Sequence, residues 1–355
     1  MNRGPLNQFL TGATVGDAIT DQALLIQRWL REAGYESDIY AWHLHDSMTA
    51  AARPMSAYRR ARGETRGIYH HSIGSDVPEF LAGRGLRLIL VYHNVTPPEF
   101  FANSDPLRAY LARQGIEQLS MLRPLTDLAL ADSRYNEREL TTVGYAPTAV
   151  LPICLEAGRY LTPSDGASPD TTVGPGPRLL FVGRLAPNKR QEDLVKLLFF
   201  LRRIYPQTRL TLVGDRWEMG YDRWVEQLAV DLNVADGLVL AGKVSHEDKL
   251  AYFRAADLYV SMSEHEGFGV PLIESMLLGL PVMAYGATAV PETMDGAGIV
   301  FYRKEFEPLA ELTALLFEDK PLRQRIVERQ RVCVQRFLEP QVRRQFLDYM
   351  ERIAV

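Results

Sequence analysis

Apolar positions along this chain follow two alternating rhythms, short β-rich runs and longer stretches with helical spacing. In the first half the short runs fall at 35–42, 67–73, 86–93, 128–133 and 148–153. That alternation predicts a parallel sheet with crossover helices. Residues 162–177, rich in Pro, Gly, Ser and Thr, then break every period and read as an interdomain linker. A second series follows, with strands expected at 178–182, 209–213, 238–241, 258–261, 281–285 and 298–301, and helices between them such as 192–205 and 224–232. After Phe306 the pattern is helical to the end, and the stretch 340–353 comes after the second sheet is complete. The organisation expected is α/β, with two Rossmann-like, doubly wound parallel-sheet lobes: 1–161, linker 162–177, and 178–336. Residues 337–355 are expected to form a helix packing back on the first lobe. Two such lobes facing a cleft would hold ligands at the carboxyl ends of their strands.

At 355 residues the chain suits two domains of common size. Its 46% hydrophobic and 24% charged content is that of a folded soluble protein, and a net charge of −4 gives no reason to expect a nucleic-acid partner. Cys154 and Cys333 stand far apart, outside metal-type or redox-type spacing, and are expected to be packing residues in a reducing cytosol. The first residues lack the apolar core of a signal peptide and no apolar run spans a bilayer, so the expected location is cytoplasmic, with any membrane contact peripheral on the inner face.

Candidate chemistry concentrates in the second half. In His265-Glu266-Gly267-Phe268-Gly269-Val270-Pro271-Leu272-Ile273-Glu274, two carboxylates eight positions apart bracket a glycine turn and the start of an apolar helix. Gly269 can take backbone angles closed to other residues, Pro271 suits the first turn of a helix, and amides exposed there form an anion site. Glu274 lies one turn into the apolar run and needs hydrogen-bond donors, which ribose hydroxyls would supply. Upstream, the strand ending at Val182 runs into Gly183-Arg184-Leu185-Ala186-Pro187-Asn188-Lys189 before a helix. Arg184 and Lys189 at that edge suit a diphosphate and the negative charge growing on a departing one. A solvated loop is the bland alternative, and pairing with the downstream glycine turn weighs against it. No Asp-x-Asp occurs, and neither His70-His71 nor His265 has the partner spacing of a zinc site, so a metal-independent reaction is expected.

The first half is less specific. Thr11-Gly12-Ala13-Thr14-Val15-Gly16-Asp17-Ala18 reads as a strand-loop-helix, though a simple turn accounts for it equally well. Two strand ends carry polar residues. His93-Asn94 is placed where a strand opens, whereas His70 and His71 point to opposite faces of their strand, so one of them is expected to be packed. The run 53–66, with Arg53, Arg59, Arg60, Arg62 and Arg66, is the dense positive patch. Such runs commonly form a solvated helix face; docking on anionic lipid or holding a phosphorylated acceptor is the sharper reading.

Taken together these residues resemble the retaining glycosyltransferases of family 4, with the GT-B architecture. The resemblance rests on the Glu266/Glu274 pair in Glu-Gly-Phe-Gly-x-Pro-x-x-Glu, the Gly183-Arg184-x4-Lys189 loop, and Val282-x6-Ala289-Val290-Pro291-Glu292. It is specific over about 150 residues of the second lobe and loose in the first, through the Gly16-Asp17 loop, His93 and the strand 128–133. It implies that Arg184 and Lys189 clamp the diphosphate, Glu274 binds the ribose and Glu266 contacts the donor sugar. Gly267, Phe268, Gly269 and Val270 would line the sugar and phosphate, and Gly242-Lys243-Val244 would stack and read the base. His93 matches the acceptor-side histidine near the reacting carbon, beside Gly16, Asp17 and Asn94. This sequence departs from the family in having Gly12-Ala13-Thr14-Val15-Gly16 in place of adjacent glycines, and Thr288-Ala289-Val290 in place of Gly-Gly before the last Pro-Glu.

The expected activity is therefore retaining transfer of a hexose from a UDP- or GDP-sugar to a hydroxyl of a glycan or lipid-linked saccharide, with no cofactor. A sugar-nucleotide epimerase and a non-catalytic sugar-nucleotide-binding subunit are the rivals. The first would need acid/base carboxylates at the sugar, and the second would bind nucleotide without transfer.

Overall fold

A computed structural model describes residues 3–161, 176–216 and 220–353. The chain forms two compact units, Met1–Cys154 with Glu339–Val355, and Leu155–Leu338. The first therefore ends seven residues before the position expected from the sequence. Most of the expected linker, 162–175, lies outside the described residues.

The first unit holds seven strands: β1 (Asn7–Ala13), β2 (Ile39–Leu44), β3 (Arg53–Pro54), β4 (Arg66–His71), β5 (Arg87–Tyr92), β6 (Thr126–Ala131) and β7 (Thr148–Val150). Every neighbouring pair is parallel, in the order β3-β2-β1-β4-β5-β6-β7. Alternate residues of the central strands, among them Ile68, Ile89, Val91, Leu128 and Leu130, form one apolar face. Leu25, Ile26, Trp29 and Leu30 of the helix Ala18–Glu32 cover it, together with Val342, Phe346 and Met350 of the helix Glu339–Ile353. The 342/346/350 spacing puts three apolar side chains on one stripe, which is why the last helix docks on the first sheet. Trp29 Nε1 donates to Glu339 Oε1 over 2.8 Å and pins the start of that helix. Fully burying Trp29 and Phe346 contributes roughly 1.5 to 3 kcal/mol each.

The second unit holds β8 (Arg178–Val182), β9 (Arg209–Val213), β10 (Leu238–Gly242), β11 (Leu258–Ser261), β12 (Val282–Tyr285) and β13 (Ile299–Phe301). They are parallel in the order β10-β9-β8-β11-β12-β13. From β8 the chain winds outward to β10, then returns to place β11 on the other side of β8. A ligand crevice belongs at such a switch point, at the carboxyl ends of β8 and β11. In the first sheet the equivalent point lies between β1 and β4.

Two expectations need correction. The arginine run is not a helix face: it forms β3, a short 3₁₀ turn at Met55–Ala57 and loop. Four of its five arginines have local partners, while Arg62 is exposed. Arg53 pairs with Asp38 at 3.3 Å, Arg59 donates to the Ser56 and Tyr58 carbonyls, Arg60 to those of Glu64 and Arg84, and Arg66 pairs with Asp127 at 2.9 Å. His70 and His71 are both packed, because helices cover both faces of a parallel sheet. Neither cysteine is disulfide-bonded; Cys154 is buried and Cys333 half-buried. Among the described residues no helix is long and apolar enough to cross a membrane, and no group of three His, Cys, Asp or Glu side chains is placed to hold a metal ion.

Candidate functional site

The two motif loops of the second unit meet at its switch point. After β8 the chain continues through Gly183, Arg184 and Leu185 to a 3₁₀ turn, Pro187–Lys189. After β11 it reaches His265-Glu266-Gly267-Phe268-Gly269 and enters the helix Val270–Leu277. Asn188 stitches these loops, since its carbonyl accepts from Glu264 N–H at 2.9 Å and its side-chain Nδ2 donates to the His265 carbonyl at 3.3 Å. Lys189 Nζ lies 2.6 Å from Glu266 Oε2. Arg184 is exposed, and among the described residues its guanidinium has no carboxylate partner. One cation is thus held by a site carboxylate while the other stands open to a ligand.

Glycines make the platform under Arg184. Gly214, at the end of β9 with φ 151°, donates its N–H to the Gly242 carbonyl at 2.9 Å, and Gly183 donates to the Val213 carbonyl at 2.8 Å. A Cβ on Gly214 would fall 2.1 Å from the Gly183 carbonyl oxygen. The ends of β8, β9 and β10 can draw level only because residue 214 has no side chain. Lys243 is exposed and Val244 half-buried beyond that edge.

At the other loop, Gly269 caps the helix Val270–Leu277 with φ 91°, and a Cβ there would meet Leu272 Cδ1 at 2.7 Å. Gly267 and Val270 flank it, half-buried, while Phe268 is buried edge-on to Phe337 with ring centroids 5.3 Å apart. Its carbonyl accepts from Thr293 Oγ1 at 2.7 Å. Glu266 is fixed by Thr288, whose hydroxyl accepts the Glu266 N–H at 2.9 Å and donates to its carbonyl at 2.7 Å. Thr288 has φ 50°. This left-handed backbone explains why the resembling family places glycine here, and the two bonds offset the strain of a β-branched residue.

Glu274 is 2% exposed. Its Oε1 accepts from Lys249 Nζ at 2.7 Å and from Tyr160 Oη at 2.8 Å, and among the described residues no bond engages Oε2. Sequence reasoning placed Glu274 correctly in a buried position but missed Lys249 and Tyr160, as well as Asn188, Gly214 and Thr288. A signal existed for Thr288, which fills a glycine position. Burial lowers the pKa of the neighbouring His265 to about 4, so its imidazole stays neutral near pH 7.

In the first unit the candidate residues do not form one group. Gly16 is exposed in the loop after β1, at the switch point. Asp17 beside it caps the helix Ala18–Glu32 by accepting from the Thr20 N–H and hydroxyl, both at 2.9 Å. That local task accounts for its position. Asn94, after β5, has φ 74°, and its amide donates to Asn136 Oδ1 at 3.1 Å and Glu139 Oε2 at 2.8 Å. His93 departs from expectation. Its side chain is 2% exposed and both ring nitrogens are engaged inside the lobe, Nδ1 with Asp132 Oδ2 and Nε2 with His70 Nδ1, each at 2.9 Å.

With this geometry in view, comparison with known proteins is informative. Residues 171–332 match the family model described as glycosyl transferases group 1. The second lobe is thus the part of the chain that is similar to the group 1 glycosyl transferases. Over 132 residues this chain is 31% identical to the GDP-mannose-dependent α-(1-6)-phosphatidylinositol monomannoside mannosyltransferase of Mycolicibacterium smegmatis, covering 35% of this chain and 34% of that protein. Over 127 residues it is 35% identical to O-antigen chain mannosyltransferase B of Escherichia coli, covering 34% and 32%. These matches span about a third of the relatives' length. Solved structures extend the likeness to the whole chain at the level of fold. Sucrose-phosphate synthase from Thermosynechococcus elongatus shares it with TM-score 0.77 and 17% identity over 99% of both chains. Anabaena Alr3699/HepE in complex with UDP-glucose shares it with TM-score 0.77 and 19% identity over 98% of this chain and 99% of that one. The architecture is GT-B, and the lobe matched by the group 1 glycosyl transferase model is the one that carries Arg184, Lys189, Glu266 and Glu274.

Proposed function

We infer that this protein is a retaining glycosyltransferase that moves a hexose from a UDP- or GDP-sugar to a hydroxyl of a glycan or lipid-linked saccharide, in the cytoplasm and without a metal. The observation that carries this reading is the convergence of Arg184, Lys189, Glu266 and Glu274 at one switch point, with Arg184 open and one oxygen of buried Glu274 unengaged. Relatives named for GDP-mannose and a structure in complex with UDP-glucose support both donor classes.

The second lobe would hold the donor. Glu274 Oε2 would accept ribose hydroxyls, Arg184 would fork onto the diphosphate, and Lys189 would be shared between Glu266 and the leaving phosphate. Gly242, Lys243 and Val244 would face the base. In the transfer step the bond from the anomeric carbon to phosphate breaks and a bond from that carbon to the acceptor oxygen forms on the same face. The acceptor proton passes to the departing phosphate oxygen. Preorganised cations stabilise the charge that develops there, and no side chain need act as base. On the first lobe, the Gly16-Asp17 loop and the His93-Asn94 loop would receive the acceptor, His93 through the loop it anchors rather than its occupied ring. Membrane docking through Arg53 to Arg66 is no part of this reading, given the local partners of Arg53, Arg59, Arg60 and Arg66.

Calorimetric titration of EDTA-treated protein with UDP, GDP and ADP, and then with their sugar conjugates, tests the reading. We expect one nucleotide to bind with Kd on the order of micromolar, its sugar conjugate to be used for transfer, and added Mg²⁺ or Mn²⁺ to change neither. Absence of binding by all three would sink the donor site, and activity restored only by a divalent ion would overturn the metal-free step. An epimerised nucleotide sugar formed without acceptor would overturn transfer.

A further inference from the structure

Across the apolar face of the first sheet runs a row of polar side chains, from Gln8 near the start of β1 to His70 near the end of β4, His93 just after β5 and Asp132 just after β6. All are 9% exposed or less. Three hydrogen bonds join them in a line. Asp132 Oδ2 meets His93 Nδ1 at 2.9 Å, His93 Nε2 meets His70 Nδ1 at 2.9 Å, and His70 Nε2 meets Gln8 Oε1 at 3.0 Å. The two imidazoles are stacked nearly parallel, 5° apart. Gln8 fixes the direction of the line, because its nitrogen donates to the Ala23 carbonyl at 2.9 Å and so turns Oε1, which can only accept, toward His70.

Protons can then be counted. Three bonds need three protons, and two neutral imidazoles supply two. Gln8 Oε1 must receive from His70 Nε2, which leaves His70 Nδ1 bare, and this must receive from His93 Nε2. The third proton therefore sits between His93 Nδ1 and Asp132. If His93 held it, Asp132 would be an anion whose second oxygen, Oδ1, is buried with no donor among the described residues. A half-satisfied buried anion is costly, whereas the carbonyl oxygen of a neutral acid left in the same place costs far less.

We propose that Asp132 is a neutral acid that donates to His93 Nδ1, and that it is a positioning residue holding, through His93, the loop that opens after β5. Every group in the line donates in one direction, from Asp132 to the main chain of the helix Ala18–Glu32. Burial raises the Asp132 carboxyl and pushes His70 well below its ordinary value, as this arrangement requires. The other titratable groups packed around the line have their own partners: His71 bonds the Gly115 carbonyl and Tyr69, and Glu139 accepts from Tyr92 and Asn94. Against the upward push of burial on Asp132, the bond to His93 pulls the other way, and burial is the larger of the two. Asn94, which follows His93 in left-handed backbone, is tied to Asn136 and Glu139, so the loop is anchored on both sides. The effect on transfer rests on the reading of this loop as acceptor-side; the proton assignment does not.

The test uses the full chain and two variants. Ring ¹⁵N spectra, tractable for seven histidines, should show His93 and His70 each protonated at Nε2 and bare at Nδ1. Asp132→Asn presents an amide N–H to the same nitrogen, so it should keep kcat/KM for acceptor within about threefold of wild type at neutral pH, and it should lack the decline that ionisation of Asp132 is expected to cause in wild type as pH rises. Asp132→Ala lacks the donor and should lose about tenfold or more in kcat/KM for acceptor with the donor KM unchanged. A proton on His93 Nδ1, whether as imidazolium or as the other tautomer, would overturn the proposal. So would Asp132→Asn falling as far as Asp132→Ala, the result expected of an ionised orienting carboxylate. If no donor supports transfer, the proposed function fails while the ring spectra still decide the proton.

Discussion

Glu274 shows how a single residue's surroundings state its task. A carboxylate 2% exposed is tolerated only with close partners, and it has two on one oxygen, a lysine and a tyrosine. Saturating Oε1 leaves Oε2 as the group with capacity to spare, so a ligand hydroxyl gains a bond without displacing a protein one. Removing the whole carboxylate by Glu274→Ala should weaken nucleotide binding by about 1.5 to 3 kcal/mol, the worth of hydrogen bonds to a charged group. Lys249→Met acts differently, because it strands the buried charge, and should lower the stability of the second lobe by about 2 kcal/mol, since Lys249 is itself partly exposed. Denaturant titration of Lys249→Met and calorimetry of Glu274→Ala check the two effects separately. Unchanged nucleotide affinity in a folded Glu274→Ala variant would make the residue a structural partner of Lys249 and Tyr160 only.

At the scale of elements, the platform beneath Arg184 depends on strand ends approaching closely at Gly214. Gly214→Ala would drive a methyl into the Gly183 carbonyl and force a backbone open to glycine onto a residue that resists it. The expected result is a loss of about 2 to 4 kcal/mol of stability, with nucleotide affinity reduced in whatever fraction still folds; a melting temperature equal to wild type would show that the loops separate cheaply. The sequence carried the strands themselves. β8, β9 and β11 coincide with the runs 178–182, 209–213 and 258–261, since a strand buried on both faces reads as an unbroken apolar stretch. β3 was invisible, being two residues paired at the sheet's edge within an arginine run. The motif loops were legible because glycine, proline and charge sit at fixed spacing. Lys249, 25 residues from Glu274, and Tyr160, 114 residues away, were not, because only folding brings them to the same oxygen. The polar row from Gln8 to Asp132 was hidden for the same reason. Each of its members lies on or just after a different strand, and the sequence offers only isolated polar residues near strand termini.

Across the whole molecule, buried histidines set the response to acid. His71 is lowered to about 4 by burial, with the Gly115 carbonyl opposing, and His265 to about 4 by burial, with Glu266 opposing; His70 lies well below its ordinary value for the same reason. A histidine whose folded value is depressed contributes stability that is whole above its unfolded value near 6.5 and is lost as pH falls toward the folded one. His71 belongs to the first unit and His265 to the second, so both lobes should weaken between about pH 6.5 and 4, by on the order of 3 kcal/mol for each of these two groups at the acid limit. Asp132 has the opposite sign. Its folded value is raised, so its contribution is whole below the ordinary carboxyl range and is lost as pH rises through the folded value. The first lobe should therefore be squeezed from both sides and the second from the acid side. Urea denaturation across this range, with a probe in each lobe, should show both lobes losing stability in acid and a further slope in the first lobe alone as pH rises, flattened by Asp132→Asn. Equal stability of both lobes at about pH 7.5 and 4.5 would mean that these histidines reach water in the folded state, against the burial described above.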